Sequence, residues 1–225
     1  MTESHRQLIG DLVSDLTPVA RPGRIGRPTG FWLAVATVYS VVIILGTGSI
    51  RPGAFADLAS HLSFIAETAL AVLAVAALAV AAMSSAIPDE TRPVRWLLWL
   101  LPVALWVSVY VVELRYPPEY VSSLGDRGPC EWEVVLFSLP ALGLLLWRAG
   151  RFFPLRPRFT GLLAGAAAAA IPAELMQFGC VYVPTHILAY HIAPIALTAA
   201  LGALIGPWAL TRKSAIRPRR TSPLH

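Results

Sequence analysis

Six apolar runs of about membrane length dominate the chain and limit what it can fold into. The hydrocarbon core of a bilayer is about 30 Å thick and takes about 20 apolar helical residues, and tilt or local thinning allows a few more or fewer. We therefore predict an all-α membrane bundle of six spans, the fourth being the shortest. The predicted spans are Phe31 to Ile50, Leu62 to Ile87, Trp96 to Leu114, Val134 to Trp147, Thr160 to Val181 and Ile187 to Leu210.

Composition supports a membrane domain and leaves little room for a soluble one. Of the 225 residues, 56% are hydrophobic and 14% charged, and the charged fraction is about half the usual value of about 25% for soluble domains. Residues 1–30 are too few to bury a core alone, and the first apolar run lacks a clear cleavage site, so it is expected to remain as an anchor. We predict a cytoplasmic segment at 1–30, a membrane domain at 31–210 and a basic tail at 211–225.

The basic residues predict the orientation of the bundle. Of 18 Lys and Arg residues, only Arg51, Arg115 and Arg127 fall on the side opposite the amino terminus. The positive-inside rule then places both termini in the cytoplasm. The basic tail has neither a folded reader domain nor an aromatic stacking platform beside it, so lipid headgroups are its expected partner and direct nucleic-acid binding is not expected.

The two cysteines fall on the same predicted face. Cys130 lies in the expected loop between spans three and four, and Cys180 ends span five, so both are predicted on the outer side. In a bacterium that side is the periplasm, where disulfides persist. Unreactive packing is the ordinary role of a cysteine in a membrane protein, but the shared depth of these two favours a functional pair.

Other ionisable residues are expected near the same depth. Ionisable groups inside a membrane are costly and are therefore functional candidates, although hydrogen bonds to neighbouring helices are an ordinary alternative. These supporting candidates are Glu67, Glu113, Glu174, His186 and His191.

A metal site is a further interpretation of these side chains, since thiolate and imidazole suit zinc or copper. The spacing of the histidines argues against including both. His186 and His191 are five residues apart, which puts them about 140° from each other around an α-helix. His186 remains a candidate ligand from just outside the helix, whereas His191 is expected to turn to a neighbour such as Glu67 or Glu174. The metal prediction thus rests on Cys130 and Cys180, with a transient soft metal and no resident cofactor.

Catalysis has little support in the sequence. The chain has no CysXXCys pair, no HisGluXXHis helix and no phosphate-binding Walker loop, each of which carries a known chemistry. We therefore predict a protein that is not an enzyme. The rival interpretation is a small transporter or a thiol-oxidising membrane enzyme that uses the same polar groups.

The amino-terminal segment predicts a short amphipathic helix ended by Pro18. Asp11 and Asp15 lie off its apolar face, and acidic residues favour a protein partner over a membrane surface, where basic residues are expected. The apolar face consists of Leu8, Ile9, Leu12, Val13 and Leu16.

The chain as a whole resembles the NrsF family of six-span membrane anti-sigma factors. The resemblance rests on LIGDLVSDLTPV at 8–19, WLLWLLPVALW at 96–106, Cys130 followed by SLPALGLLLWR, PLRPRFTGLLAG at 154–165, and Cys180 followed by HILAYHIAP. These elements occur in order along nearly the entire chain.

The resemblance implies a regulator in the inner membrane of a proteobacterium. Such a protein holds an extracytoplasmic-function sigma factor and releases it under oxidative or heavy-metal stress, through cysteines that correspond here to Cys130 and Cys180. Sigma-factor contact is expected in residues 6–20, which include the apolar face of the amino-terminal helix.

Overall fold

The structure, a computed structural model, is all-helical and describes residues 3–14, 25–48, 50–88, 93–118, 120–125, 127–128 and 130–211. A π-helical turn, Leu188–Ile192, separates the last two helices, and 3-10 turns occupy Gly150–Phe152 and Met176–Phe178. The α-helices are α1 (Glu3–Ser14), α2 (Gly26–Thr47), α3 (Ala54–Ser60), α4 (Leu62–Ser85), α5 (Pro93–Glu113), α6 (Cys130–Ala149), α7 (Pro157–Leu175), α8 (Pro184–Ile187) and α9 (Ala193–Thr211).

Within the described residues, five helical segments are long and apolar enough to cross a membrane. Their outer surfaces carry bare apolar side chains such as Val38, Val72 and Leu204, which are 63%, 58% and 78% exposed. Apolar surface of this kind suits lipid and not water, so the chain is a multi-pass membrane protein. The five segments are Gly26–Thr47, Leu62–Ser85, Cys130–Phe152, Pro157–Phe178 and Pro184–Thr211.

The third and fourth predicted spans fall on α5 and α6. Helix α5 covers Pro93–Glu113, and its fully described part gives a shorter apolar stretch, Leu98–Glu113. The fourth, expected to be the shortest, is long because its helix begins at Cys130 and runs through a 3-10 turn to Phe152. Six crossings and cytoplasmic termini remain predictions.

Helix α7 lies at the centre of the bundle, and 83% of the residues in its most apolar stretch are buried. It packs against α2, α4, α6 and α9. Its alanine-rich sequence explains this position, because small side chains let several helices approach one axis closely.

The contact between α7 and α9 is a seam of glycines. A Cβ on Gly161 would lie 2.1 Å from the carbonyl oxygen of Gly202, and a Cβ on Gly165 would lie 2.2 Å from that of Thr198. A Cβ on Gly202 or Gly206 of α9 would likewise lie too close to the backbone of α7. Small residues on these faces therefore let the two helices pack closely.

The amino-terminal helix is confirmed as α1, over Glu3–Ser14. Two residues of its predicted apolar face, Ile9 and Val13, are 49% and 60% exposed. Leu16, the predicted stop at Pro18 and the basic tail after Thr211 lie outside the described residues.

Three connecting segments meet at one end of the bundle, which we call the cysteine end: residues 48–61, 114–130 and 176–186. The backbone N–H of Arg51 donates to the carbonyl of Phe178 at 2.8 Å. Ser122 and Tyr182 form an antiparallel bridge. These cross-links bring the ends of α2, α5, α6 and α7 together, and both cysteines lie among them.

Candidate metal centre

Cys130 is the first residue of α6 and is not in a free loop as expected. Its thiol donates to the carbonyl of Arg127, with an Sγ to oxygen distance of 3.5 Å. The Arg127 guanidinium donates to Glu133 of α6 at 2.6 Å and to the carbonyl of Ile44 of α2 at 3.0 Å. Arg127 therefore joins two helices and holds the residues just before Cys130.

Cys180 lies in the connection between α7 and α8. Its backbone N–H donates to the carbonyl of Met176 at 2.8 Å. Two residues later, Tyr182 exchanges backbone hydrogen bonds of 2.8 and 2.9 Å with Ser122. The segment that contains Cys180 is thus tied to the segment that leads to Cys130.

Gly125 completes this junction. It has a φ of +113°, and a Cβ at this position would lie 2.8 Å from the carbonyl carbon of Cys180. Glycine is therefore required both by the left-handed backbone and by the space available.

The two cysteines are free thiols buried side by side. They share an apolar pocket with Ile44, Val134 and Met176. The hydrogen bond with Cys130 and burial raise the pKa of Cys180, so its uncharged thiol form is favoured. A disulfide or a shared metal is within the chemistry of such a pair.

Both histidines join the cysteines, so the expected separation of His186 from His191 is wrong. Residues Leu188–Ile192 form a π-helical turn, in which the N–H of Ala193 donates to the carbonyl of Leu188. Hydrogen bonding from residue i to i+5 brings residues five apart toward one face, whereas an α-helix turns them apart. The two imidazole centroids are 5.2 Å apart.

The four side chains form one compact cluster. One ligand atom from each of Cys130, Cys180, His186 and His191 lies within 4.8 Å of the others. Two sulfurs and two imidazole nitrogens make a Cys2His2 donor set, which suits a tetrahedral metal ion. The cysteines and His191 are buried, and His186 is partly exposed.

The three glutamates belong to a separate buried network. Tyr182 donates its hydroxyl to Glu67, and Glu113 lies near the same carboxyl group. Gln177 Nε2 donates to Glu174 at 2.6 Å. His191 therefore does not turn to Glu67 or Glu174 as expected, and the predicted polar cluster divides into two groups.

Tyr182 connects these two groups, because it follows Cys180 by two residues and also bonds Glu67. Burial and the nearby charge of Glu67 raise the pKa of Tyr182, which keeps its hydroxyl protonated as a donor. Through Tyr182, the glutamate network thereby holds the segment that contains Cys180.

Arg51 is a structural residue that the sequence analysis did not single out. Its side chain is fully buried and pairs with Asp57 at 2.9 Å. It also donates to the Tyr120 hydroxyl at 2.6 Å and to the carbonyl of Gln177 at 3.3 Å. Arg51 thus holds the residues just before Cys180.

Two signals pointed to these missed residues. Arg51 and Arg127 are two of only three basic residues on the predicted outer side, and an arginine that departs from the charge bias often has a structural partner. Gly125 lies in a predicted loop, where glycine is the residue that most readily adopts a positive φ. Neither signal identifies the contacts.

The features of the fold and the cluster are those of a multi-pass helical membrane protein with a buried candidate metal centre at one end. Within that class the chain belongs to the NrsF family, because the family model described as negative regulator of sigma F matches residues 12–211. The resemblance seen in the sequence is confirmed. No curated protein and no solved structure matches the chain.

Proposed function

We propose that this protein holds an extracytoplasmic-function sigma factor at the cytoplasmic membrane and releases it when oxidants or soft metals act on Cys130 and Cys180. Family membership supports the sigma-factor partner. The observation that supports sensing is the burial of the two thiols side by side at the junction of three connecting segments.

The proposed topology places the signal and the partner on opposite sides of the membrane. With both termini in the cytoplasm, as the positive-inside rule favours, the cysteine end faces the periplasm. The domain organisation is then a partner-binding segment at 1–30, a membrane domain at 31–210 and a basic tail at 211–225 against lipid headgroups.

The partner surface is proposed to be the apolar face of α1. Ile9 and Val13 are largely exposed, and an amphipathic helix commonly binds a protein groove through apolar residues at this spacing. A sigma factor bound to this face of α1 is kept from the polymerase simply because it is already bound.

Release requires that a change at the cysteines alter the helices. In the oxidative case the two thiols lose two protons and two electrons to an oxidant such as peroxide, and one sulfur–sulfur bond forms. That bond ties the start of α6 to the connection after α7. A population change from about 1:99 to 99:1 needs about 5.5 kcal/mol, and a disulfide contributes about 2 to 4 kcal/mol against the unfolded chain. The covalent bond therefore shifts the equilibrium partway.

Transcription from a sigma-dependent promoter tests the sensing role. Cys130→Ser, Cys180→Ser and the double variant should lose induction by peroxide or cadmium. Met176→Leu, a change of similar volume in the same apolar pocket, should keep induction and controls for packing. A double cysteine variant with normal repression and normal induction would remove the cysteines from the mechanism.

Sigma-factor capture by the full chain tests the partner surface. The double variant Ile9→Glu/Val13→Glu should lose capture. Ser4→Glu/Gln7→Glu adds the same charge on the opposite face of α1, by helical phase, and should retain it. Equal loss of capture in both double variants would show an effect of added charge and not of one face of α1. Equal retention of capture would place the sigma-factor contact outside this face.

A further inference from the structure

Four side chains from three separate parts of the chain point their ligand atoms at one small volume. Cys130 begins α6, Cys180 lies in the connection after α7, and the two histidines come from the helix that opens the last long segment. Their ligand atoms all lie within 4.8 Å of one another. The π-helical turn Leu188–Ile192 contains His191 and begins two residues after His186, and such turns occur frequently at functional sites.

We propose that Cys130, Cys180, His186 and His191 bind one zinc ion in the resting protein. Zinc takes thiolate at about 2.3 Å and imidazole at about 2.0 to 2.1 Å in tetrahedral geometry. The edges of that tetrahedron are about 3.3 to 3.8 Å by the same bond lengths, so a contraction of at most about 1.5 Å between any two ligand atoms closes the site. Two sulfurs with two imidazoles favour zinc over calcium or magnesium, which prefer oxygen.

The environment of His191 supports a ligand in this position. The side chain is completely buried, and neither of its ring nitrogens has a hydrogen-bond partner among the described residues. A buried imidazole held only for packing is normally hydrogen-bonded. A zinc ion gives one of these nitrogens its partner, and the same holds for His186, whose Nε2 is also unpaired within the described part of the chain.

The charges around the cluster fit a divalent cation. On binding, both cysteine thiols give up their protons to solvent, and the two thiolates then neutralise the two charges of the ion. A neutral site is the least costly arrangement in an apolar pocket. His186 is the partly exposed ligand, and the acidic residue Glu131 lies near it.

Bound zinc defines the state that repression requires; this regulatory role rests on the proposed function, whereas zinc binding itself does not. The ion ties the start of α6 to the π-helical turn and to the connection after α7. Peroxide takes two electrons from the two thiolates and, with two protons, becomes two water molecules. The resulting disulfide removes both sulfur ligands, and zinc leaves.

Cobalt titration of the full chain tests the site. The protein is purified in detergent under reducing conditions, stripped with a chelator and titrated with Co²⁺, whose visible absorption reports tetrahedral thiolate coordination. We expect one Co²⁺ per chain, displaced by Zn²⁺. Cys130→Ser and Cys180→Ser should weaken the sulfur-to-cobalt absorption.

The histidine variants carry the distinctive part of the test. His186→Gln and His191→Gln should each weaken Co²⁺ binding by at least about tenfold, because even loss of an outer-shell partner costs about 10- to 100-fold. His61→Gln is the matched control: His61 lies at the cysteine end but stacks on Tyr120 with a centroid distance of 4.1 Å, and its loss should leave binding unchanged. Circular dichroism of each variant checks folding.

Two results would overturn the zinc proposal. One is a folded wild-type chain that binds no Co²⁺, and the other is cobalt binding that neither histidine variant weakens. Sigma-factor capture measured on the same preparations separates the two proposals. Loss of capture with normal metal binding removes the proposed function alone, and normal capture and cysteine-dependent induction without metal binding remove the zinc site alone.

Discussion

Gly125 lies directly against the backbone of Cys180, so that a Cβ on Gly125 would be 2.8 Å from the Cys180 carbonyl carbon. The contact joins the loop that leads to Cys130 to the connection that carries Cys180. The geometry of the two thiols therefore depends on a residue with no reactive side chain.

Gly125→Ala should separate the cysteines. Its φ of +113° and the short contact both oppose a side chain, so we expect slower disulfide formation under mild oxidant and a loss of about 1 kcal/mol or more in stability. Thiol-trapping gels measure the first effect. Gly128→Ala, where a Cβ meets nothing within 4 Å, should behave as wild type. Equal rates in both variants would mean that the junction does not position Cys180.

Arg51→Met should destabilise the cysteine end. The change leaves Asp57 without its buried partner and removes donors to Tyr120 and Gln177. Removing one partner of a buried ion pair costs about 3 to 5 kcal/mol, and this estimate is an upper value here because Asp57 is partly exposed. Thermal unfolding in detergent measures the loss. Arg115→Met, at an exposed position of the same end, should change the midpoint of thermal unfolding little. Similar shifts for both variants would mean that Arg51 does not hold this end together.

Gly165→Ala should force α7 and α9 apart. The added methyl group would lie 2.2 Å from the Thr198 carbonyl oxygen, and overpacking of this kind costs about 1 to 3 kcal/mol. Resistance to unfolding in a mixed-detergent titration measures the cost. Gly143→Ala, a helical glycine of α6 with nothing within 4 Å, should be neutral or slightly stabilising, since alanine favours helix over glycine.

Topology fusions should settle whether α5 crosses the membrane. Alkaline phosphatase, which is active only outside the cytoplasm, should be inactive when fused after Ile87 and active when fused after Pro118. Green fluorescent protein fused after Thr211 should fluoresce. The basic residues predict this pattern through the positive-inside rule. If the phosphatase fusions after Ile87 and Pro118 were both active or both inactive, α5 would not cross the membrane.

The membrane class and the family could both be predicted from local features of the sequence. Long apolar runs are local features, and their burial in lipid does not depend on the details of helix packing, so five of six predicted spans correspond to long apolar helices. The ordered motifs predicted the family that the family model matches. The two cysteines were also correctly expected to come together.

The arrangement of the site could not be predicted in this way, because it depends on how the helices pack. The sequence argument assumed a straight α-helix and so separated His186 from His191, whereas the π-helical turn at Leu188–Ile192 aligns them. A π-helical turn forms where packing forces one extra residue into a turn of a helix. The periodicity of the sequence does not show where this happens. The contacts of Arg51 and Gly125 likewise join residues far apart in the chain. Such positions are set by the assembled bundle, because each contact exists only once several helix ends have met.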